Sequence, residues 1–186
     1  MISAGRTVAS VCSLRPMTRG VSAFIPVLLC VLLVSAGPAD AAPRAGGCAG
    51  ADKTISSLRT GEIRAAILCV INENRGAKKV KRNAKLQKAA QRHTRVMERH
   101  NLLCHQCPGE PTLIERVKRT GYSSTLQVGE VIIKTITGTS PRNIVKAWMA
   151  SPPHAKEIRR RIYKHAGVGV VVKNGFVWAT TVFGRP

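Results

Sequence analysis

Apolar positions first fall into a helical rhythm at Ile63, Ile67, Val70 and Ile71, which predicts a helix from Thr60 with Glu62 in its first turn and an end at Arg75-Gly76. A second helix is predicted from an Asn83 N-cap, with Leu86, Ala90, His93 and Met97 on one face. His93 shares that face with Leu and Met, so it reads as a core histidine before it reads as a ligand. Thr112 and Glu115 form a capping box for a short third helix closed by Gly121. Leu126 to Ile136 reads as extended. Ser140-Pro141 opens a fourth helix through Ile144, Val145 and Trp148, which Ser151-Pro152-Pro153 stops before His154 begins a further turn. The β-branched runs Val168–Lys173 and Phe176–Phe183 flank Asn174-Gly175, a two-residue type I′ hairpin signal. Helices around a few strands imply an α+β sandwich.

The first forty residues do not fit that core. Arg6, Arg15 and Arg19 precede an apolar run from Val21 to Ala36, and Ala39-Asp40-Ala41 supplies small residues for cleavage after Ala41. Residues 1–41 are therefore expected to be a signal peptide, with Met17 as an alternative start. The run is short for a membrane span and is broken by Pro26, so no transmembrane segment is expected after cleavage. Residues 42–60 read as an arm and 61–186 as the domain, secreted or at the cell surface.

Cleavage leaves Cys48, Cys69, Cys104 and Cys107, an even set in an oxidising compartment. Of the three pairings, Cys48 with Cys69 and Cys104 with Cys107 is favoured, because the first staples the arm to the first helix; the other two stay open. Cys104-His105-Gln106-Cys107 permits a redox pair, a thiolate zinc site or a structural disulfide. The first lacks a thioredoxin-like context and the second competes with oxidation, so the third is preferred.

The formal net charge is +21 in 186 residues. Such a field favours an anionic partner, a cell-envelope polymer or acidic lipid, or else serves solubility alone. Nucleic acid is disfavoured, because the few aromatic residues are not interleaved with the basic ones. The sequence does not set an oligomeric state.

In order, Ile71-Asn72-Glu73-Asn74-Arg75, His93-Thr94, His105, Gly121-Tyr122, Gly129-Glu130, Trp148-Met149-Ala150-Ser151-Pro152-Pro153-His154, Gly167-Val168-Gly169 and Phe183-Gly184 resemble the bacterial, SCP-like branch of the CAP superfamily of cysteine-rich secretory proteins. The resemblance covers residues 63 to 184 and implies a three-layer α/β/α sandwich. It also implies a cleft lined by two histidines and acidic residues, to which His105, Glu130 and His154 correspond. Two imidazoles and a carboxylate would suffice for Zn²⁺ with an open position. Where the family pattern carries Asn, Gly-His-Arg and further acids, this chain has Val131, Pro153-His154-Ala155, His165 and Val182, which makes the cleft less acidic.

Two function classes follow. One is a binding domain for an envelope or extracellular ligand (lipid, glycan or anionic polymer); the other is a metal-dependent hydrolase using His105, Glu130 and His154. The thinned acids favour binding. No Ser/His/Asp arrangement supports a serine hydrolase, and Ser151 beside two prolines lacks a nucleophile elbow.

Overall fold

Strand β4 (Phe176–Gly184) is buried along almost its whole length, and its alternate residues feed the cores on the two faces of the sheet. Val177, Ala179 and Phe183 join the larger core, whereas Trp178 and Val182 point into two smaller clusters on the opposite face. A computed structural model describes residues 47–122 and 127–186. The leader expected over residues 1–41 and the start of the extended run at Leu126 lie outside the described residues.

The sheet has the order β1-β3-β4-β2, from β1 (Lys81–Arg82), β2 (Val128–Ile136), β3 (His165–Lys173) and β4. Strands β3 and β4 form the expected hairpin, with Asn174 and Gly175 both at positive φ as a type I′ turn requires. Strand β2 pairs antiparallel with the other side of β4, and β1 runs parallel to β3. Helix α2 (Ala84–His100) covers one face; α1 (Thr60–Arg75), α4 (Pro141–Ala150) and α5 (Pro152–Arg159) cover the other. The short α3 (Leu113–Lys118) packs beside α2. This is the expected three-layer α/β/α sandwich.

Local chemistry explains most element ends. The Asn83 side chain accepts hydrogen bonds from the Lys85 and Leu86 amides at 3.0 and 3.2 Å, and Asn101 closes α2 in the left-handed region. Thr112 and Glu115 make their capping box, and Ser140 caps α4 through the Asn143 amide. Two features differ from the sequence reading. Pro152 and Pro153 do more than stop α4: they occupy the first turn of α5, where their missing N–H groups cost nothing. Lys81–Arg82, which the sequence pattern left outside any predicted element, forms a short parallel strand.

Gly167 and Gly169 set the distance between layers. A Cβ on Gly167 would lie 2.0 Å from the Gln87 nitrogen, and one on Gly169 would lie 2.5 Å from the Ala90 carbonyl carbon. Only glycine lets α2 lie backbone to backbone on β3. At the opposite face the arm enters the core through Cys48, Ala51 and Ile55, and the Cys48–Cys69 disulfide ties it to α1 as expected. The buried Arg75 guanidinium donates to the carbonyls of Lys78, Ile158, Arg160 and Tyr163, fastening the end of α1 to the α5–β3 connection. Among the described residues no helix is long and apolar enough to cross a membrane.

Candidate functional site

Strand β2 carries the site's carboxylate because pleating turns Gly129 and Glu130 to opposite faces. Gly129 leaves room for the Tyr163 hydroxyl, which donates to Glu157 at 2.6 Å. Glu130 points instead toward α2 and α3, with a side chain only 2% exposed. There the Arg116 guanidinium grips it by two bonds, Nη1 to Oε2 at 3.1 Å and Nη2 to Oε1 at 3.3 Å. Arg116 Nη2 also donates to the His105 carbonyl at 2.7 Å, so one side chain positions both the carboxylate and the histidine loop.

His105 lies in that loop between α2 and α3, which the Cys104–Cys107 disulfide closes. The disulfide leaves no thiolate for the zinc reading of this segment and agrees with the preferred structural one. His105 Nδ1 is 3.1 Å from Glu130 Oε1 while its side chain is 57% exposed. His154, in the first turn of α5, places its ring centroid 6.4 Å from that of His105. Burial holds its pKa below the ordinary value, and the like charge of His105 adds to the effect. The fold thus brings His105, Glu130 and His154 together: an exposed and a half-buried imidazole beside a sequestered carboxylate.

Arg116, Glu110 and the carboxylate partners of His93 escaped the sequence reading. His93 is fully buried as expected, yet it stands between two carboxylates: Nδ1 is 2.7 Å from Glu110 Oε2 and Nε2 is 3.7 Å from Glu130 Oε1. Nε2 makes no hydrogen bond among the described residues. Arg116 Nε lies 3.8 Å from Glu110 Oε1, so one guanidinium serves both acids. A carboxylate among Val128, Val131, Ile132 and Ile133 demands a cation. The main partner is arginine, carried by α3 one residue after its capping glutamate.

The departures from the family pattern fall mainly on packing positions. Val131 belongs to the large core and Val182 to the cluster with Leu86 and Ala90. His165 Nδ1 meets the Tyr122 hydroxyl at 3.0 Å.

For Zn²⁺ the donors are unevenly suited. Among the described residues, the groups whose ligand atoms lie within 4.8 Å of one another, His93/Cys107/Glu110 and Cys48/Cys69/Glu73, both rely on cysteines tied up as disulfides, which present no thiolate. Glu130 has both oxygens on a permanent cation, which disfavours a second cation at the same atoms. His105 fits better: its Nδ1 faces a carboxylate and its Nε2 makes no hydrogen bond among the described residues, the arrangement of a metal-binding imidazole oriented from behind. Direct ligation would fall to His105 and His154, with Glu130 as orienter. As a general base Glu130 is poorly disposed, being buried and already accepting from arginine.

The sequence model of the Cysteine-rich secretory protein family, CAP, matches residues 54–183. The uncharacterised protein YkwD of Bacillus subtilis is 31% identical over 113 residues, which is 61% of this chain and 42% of YkwD, so the chain spans less than half of that relative. Among solved structures, an outer surface protein of Borrelia burgdorferi aligns with a TM-score of 0.61 at 18% identity, over 69% of this chain and 96% of that one. An extracellular SCP-domain protein of Bacillus anthracis aligns with a TM-score of 0.55 at 21% identity, over 69% of this chain and 44% of that one.

Proposed function

Because the chain belongs to the cysteine-rich secretory protein (CAP) family, we propose that it is a secreted or cell-surface binding domain that holds an envelope or extracellular ligand at the His105–Glu130–His154 cleft. Two disulfides suit an oxidising compartment, and the charge of +21 suits an anionic polymer or lipid over a neutral ligand. The observation that carries the reading is the state of Glu130. With Arg116 on both oxygens and His105 beside it, the carboxylate organises the cleft and has no free edge with which to activate water. The groups left for a ligand are the two imidazoles, which donate or accept hydrogen bonds according to tautomer.

Retention on isolated cell-envelope fragments tests this. At fixed salt, H105A and H154A should each be retained roughly tenfold less well than wild type, the loss of a hydrogen bond or two; equal retention of all three proteins would refute recognition at the cleft.

A metal-dependent hydrolase is the second reading, favoured by the Nδ1 contact that leaves Nε2 of His105 available. Bound there, Zn²⁺ would supply an activated water. His105 and His154 would hold it, and Glu130 would fix the His105 tautomer. Calorimetric titration of the oxidised protein with Zn²⁺ separates the readings. Stoichiometric binding lost in both H105A and H154A supports the metal site, and binding indifferent to both changes removes it.

A further inference from the structure

On the other side of α2 the molecule concentrates positive charge without compensating it. A cavity of about 400 Å³ between α1 and α2 is lined by Arg64, Gln87, Lys88, Arg92 and Arg95 among others. A second, of about 230 Å³, adjoins it through Arg64 and Gln87 and adds Arg82. None of these five cations has a carboxylate within ion-pair distance among the described residues. Lys88, Arg92 and Arg95 follow one another at helical spacing, where like charges repel.

Arg64 is the residue common to both cavities. It is half-buried, its Nη2 donates to Gln91 Oε1 at 2.6 Å, and its Nε is buried with no partner among the described residues. Gln91 is itself locked to the Val170 backbone by two hydrogen bonds, so Arg64 is held from behind by a fixed amide. Burial lowers the Arg64 pKa, and the nearby Arg95 and Arg82 lower it further. A guanidinium kept short of both solvent and counter-charge is an incomplete anion site.

We infer that this groove binds a soluble chain of phosphate groups, with Arg64 at its floor shared between consecutive phosphates and Arg82, Lys88, Arg92 and Arg95 on the rims. Guanidinium forks match the tetrahedral oxyanion, and two adjoining recesses match two linked groups better than a single ion. A bilayer surface fits less well. The floor residue is recessed, and the exposed large apolar side chains, Leu102, Leu103, Ile114, Ile136, Val172 and Phe176, do not line either cavity. The inference rests on the functional reading above only in taking the partner to be anionic. None of His105, Glu130 and His154 lines the groove.

The buried Arg64 Nε–H gives a discrete ¹H–¹⁵N resonance. Titration with tripolyphosphate should shift it saturably, together with the Gln87 side-chain amide. R64Q should weaken binding roughly tenfold, and the exposed variant R95Q, which cannot fail by unfolding a core, should weaken it several-fold. R159Q removes the same charge from α5 and should stay within about twofold. The H105A/H154A double variant should bind tripolyphosphate as wild type does, so a failure of the cleft reading leaves this test readable. A non-saturable shift, or equal weakening by R159Q, would reduce the groove to nonspecific charge. Inorganic phosphate binding as tightly as tripolyphosphate would reduce it to a single-ion site. A response to phosphatidylglycerol vesicles without one to tripolyphosphate would replace the soluble chain with a membrane.

Discussion

Around Glu130, two buried carboxylates share one guanidinium and a buried imidazole; along the α1–α2 groove, five cations have no carboxylate within ion-pair distance among the described residues. The first region resembles an internal joint. Its charges are withdrawn from water, matched in sign and hydrogen-bonded to backbone, so that α3, β2 and the His105 loop are held in one geometry. The second is a surface whose electrostatic energy is unfavourable in the free protein and becomes favourable once an anion arrives. The two regions teach that position and pairing, more than net charge, distinguish architecture from recognition.

The largest expected effect lies in the compensated region. R116M leaves Glu130 buried without its cation and should cost about 3–5 kcal/mol in urea unfolding. Adding E130L should recover part of that loss, since an apolar pair replaces an ion pair of similar volume. If R116M were neutral, Glu130 would not depend on Arg116 and the cleft geometry would need another explanation. Next comes the staple of the groove's floor helix. Cys69 sits on α1 with Arg64, and the bridge to Cys48 spans 21 residues. C48S/C69S should lose about 3 kcal/mol by the chain-entropy argument, read by the same unfolding measurement.

The groove should show the opposite sign. R95Q removes a like charge from the row on α2 and should stabilise the free protein by ~0.2–0.5 kcal/mol, an increment that shrinks in high salt. The same change should weaken tripolyphosphate binding. A stabilising effect coupled to lost affinity would mark Arg95 as kept for a partner. Destabilisation would mean that the cation is compensated by the fold after all.

What could be read from sequence follows the same division between local and long-range chemistry. Asn174-Gly175, Thr112 with Glu115, Asn83 and Ser140-Pro141 act on backbone within a few residues, and each forms the turn or cap it predicts. The cysteine pairing was the favoured one of three, because it staples the arm to the first helix, and it is the one that forms. Pro152-Pro153 was legible as a boundary but not as a beginning, because a proline pair both ends one helix and suits the first turn of the next. The close approach behind Gly167 and Gly169 could not be read, since it depends on the α2 backbone eighty residues earlier. For the site, the resemblance supplied His105, Glu130 and His154, which no local pattern unites. Arg116 was one of thirty cations until the fold placed it against Glu130, and the groove was hidden in that same excess of charge.

The smallest expected effect tests whether the two cleft imidazoles sense each other. His154 titrates below its ordinary value of 6.5, chiefly through burial and secondarily through His105. Between the lowered value and 6.5 the unfolded chain binds more protons than the folded one, so stability rises with pH across that window. The contribution is present in full above 6.5 and is lost as pH falls toward the folded value; partial exposure of the ring keeps it small. In H105Q the like charge is gone while the burial remains. The His154 ring proton, followed by NMR, should therefore titrate at a higher pH than in wild type yet still below 6.5, and the pH slope of stability should flatten. An unmoved titration would show that the imidazoles are independent, which would remove the electrostatic basis for treating them as one site; a full return to the ordinary value would assign the shift to His105 and leave burial without a role.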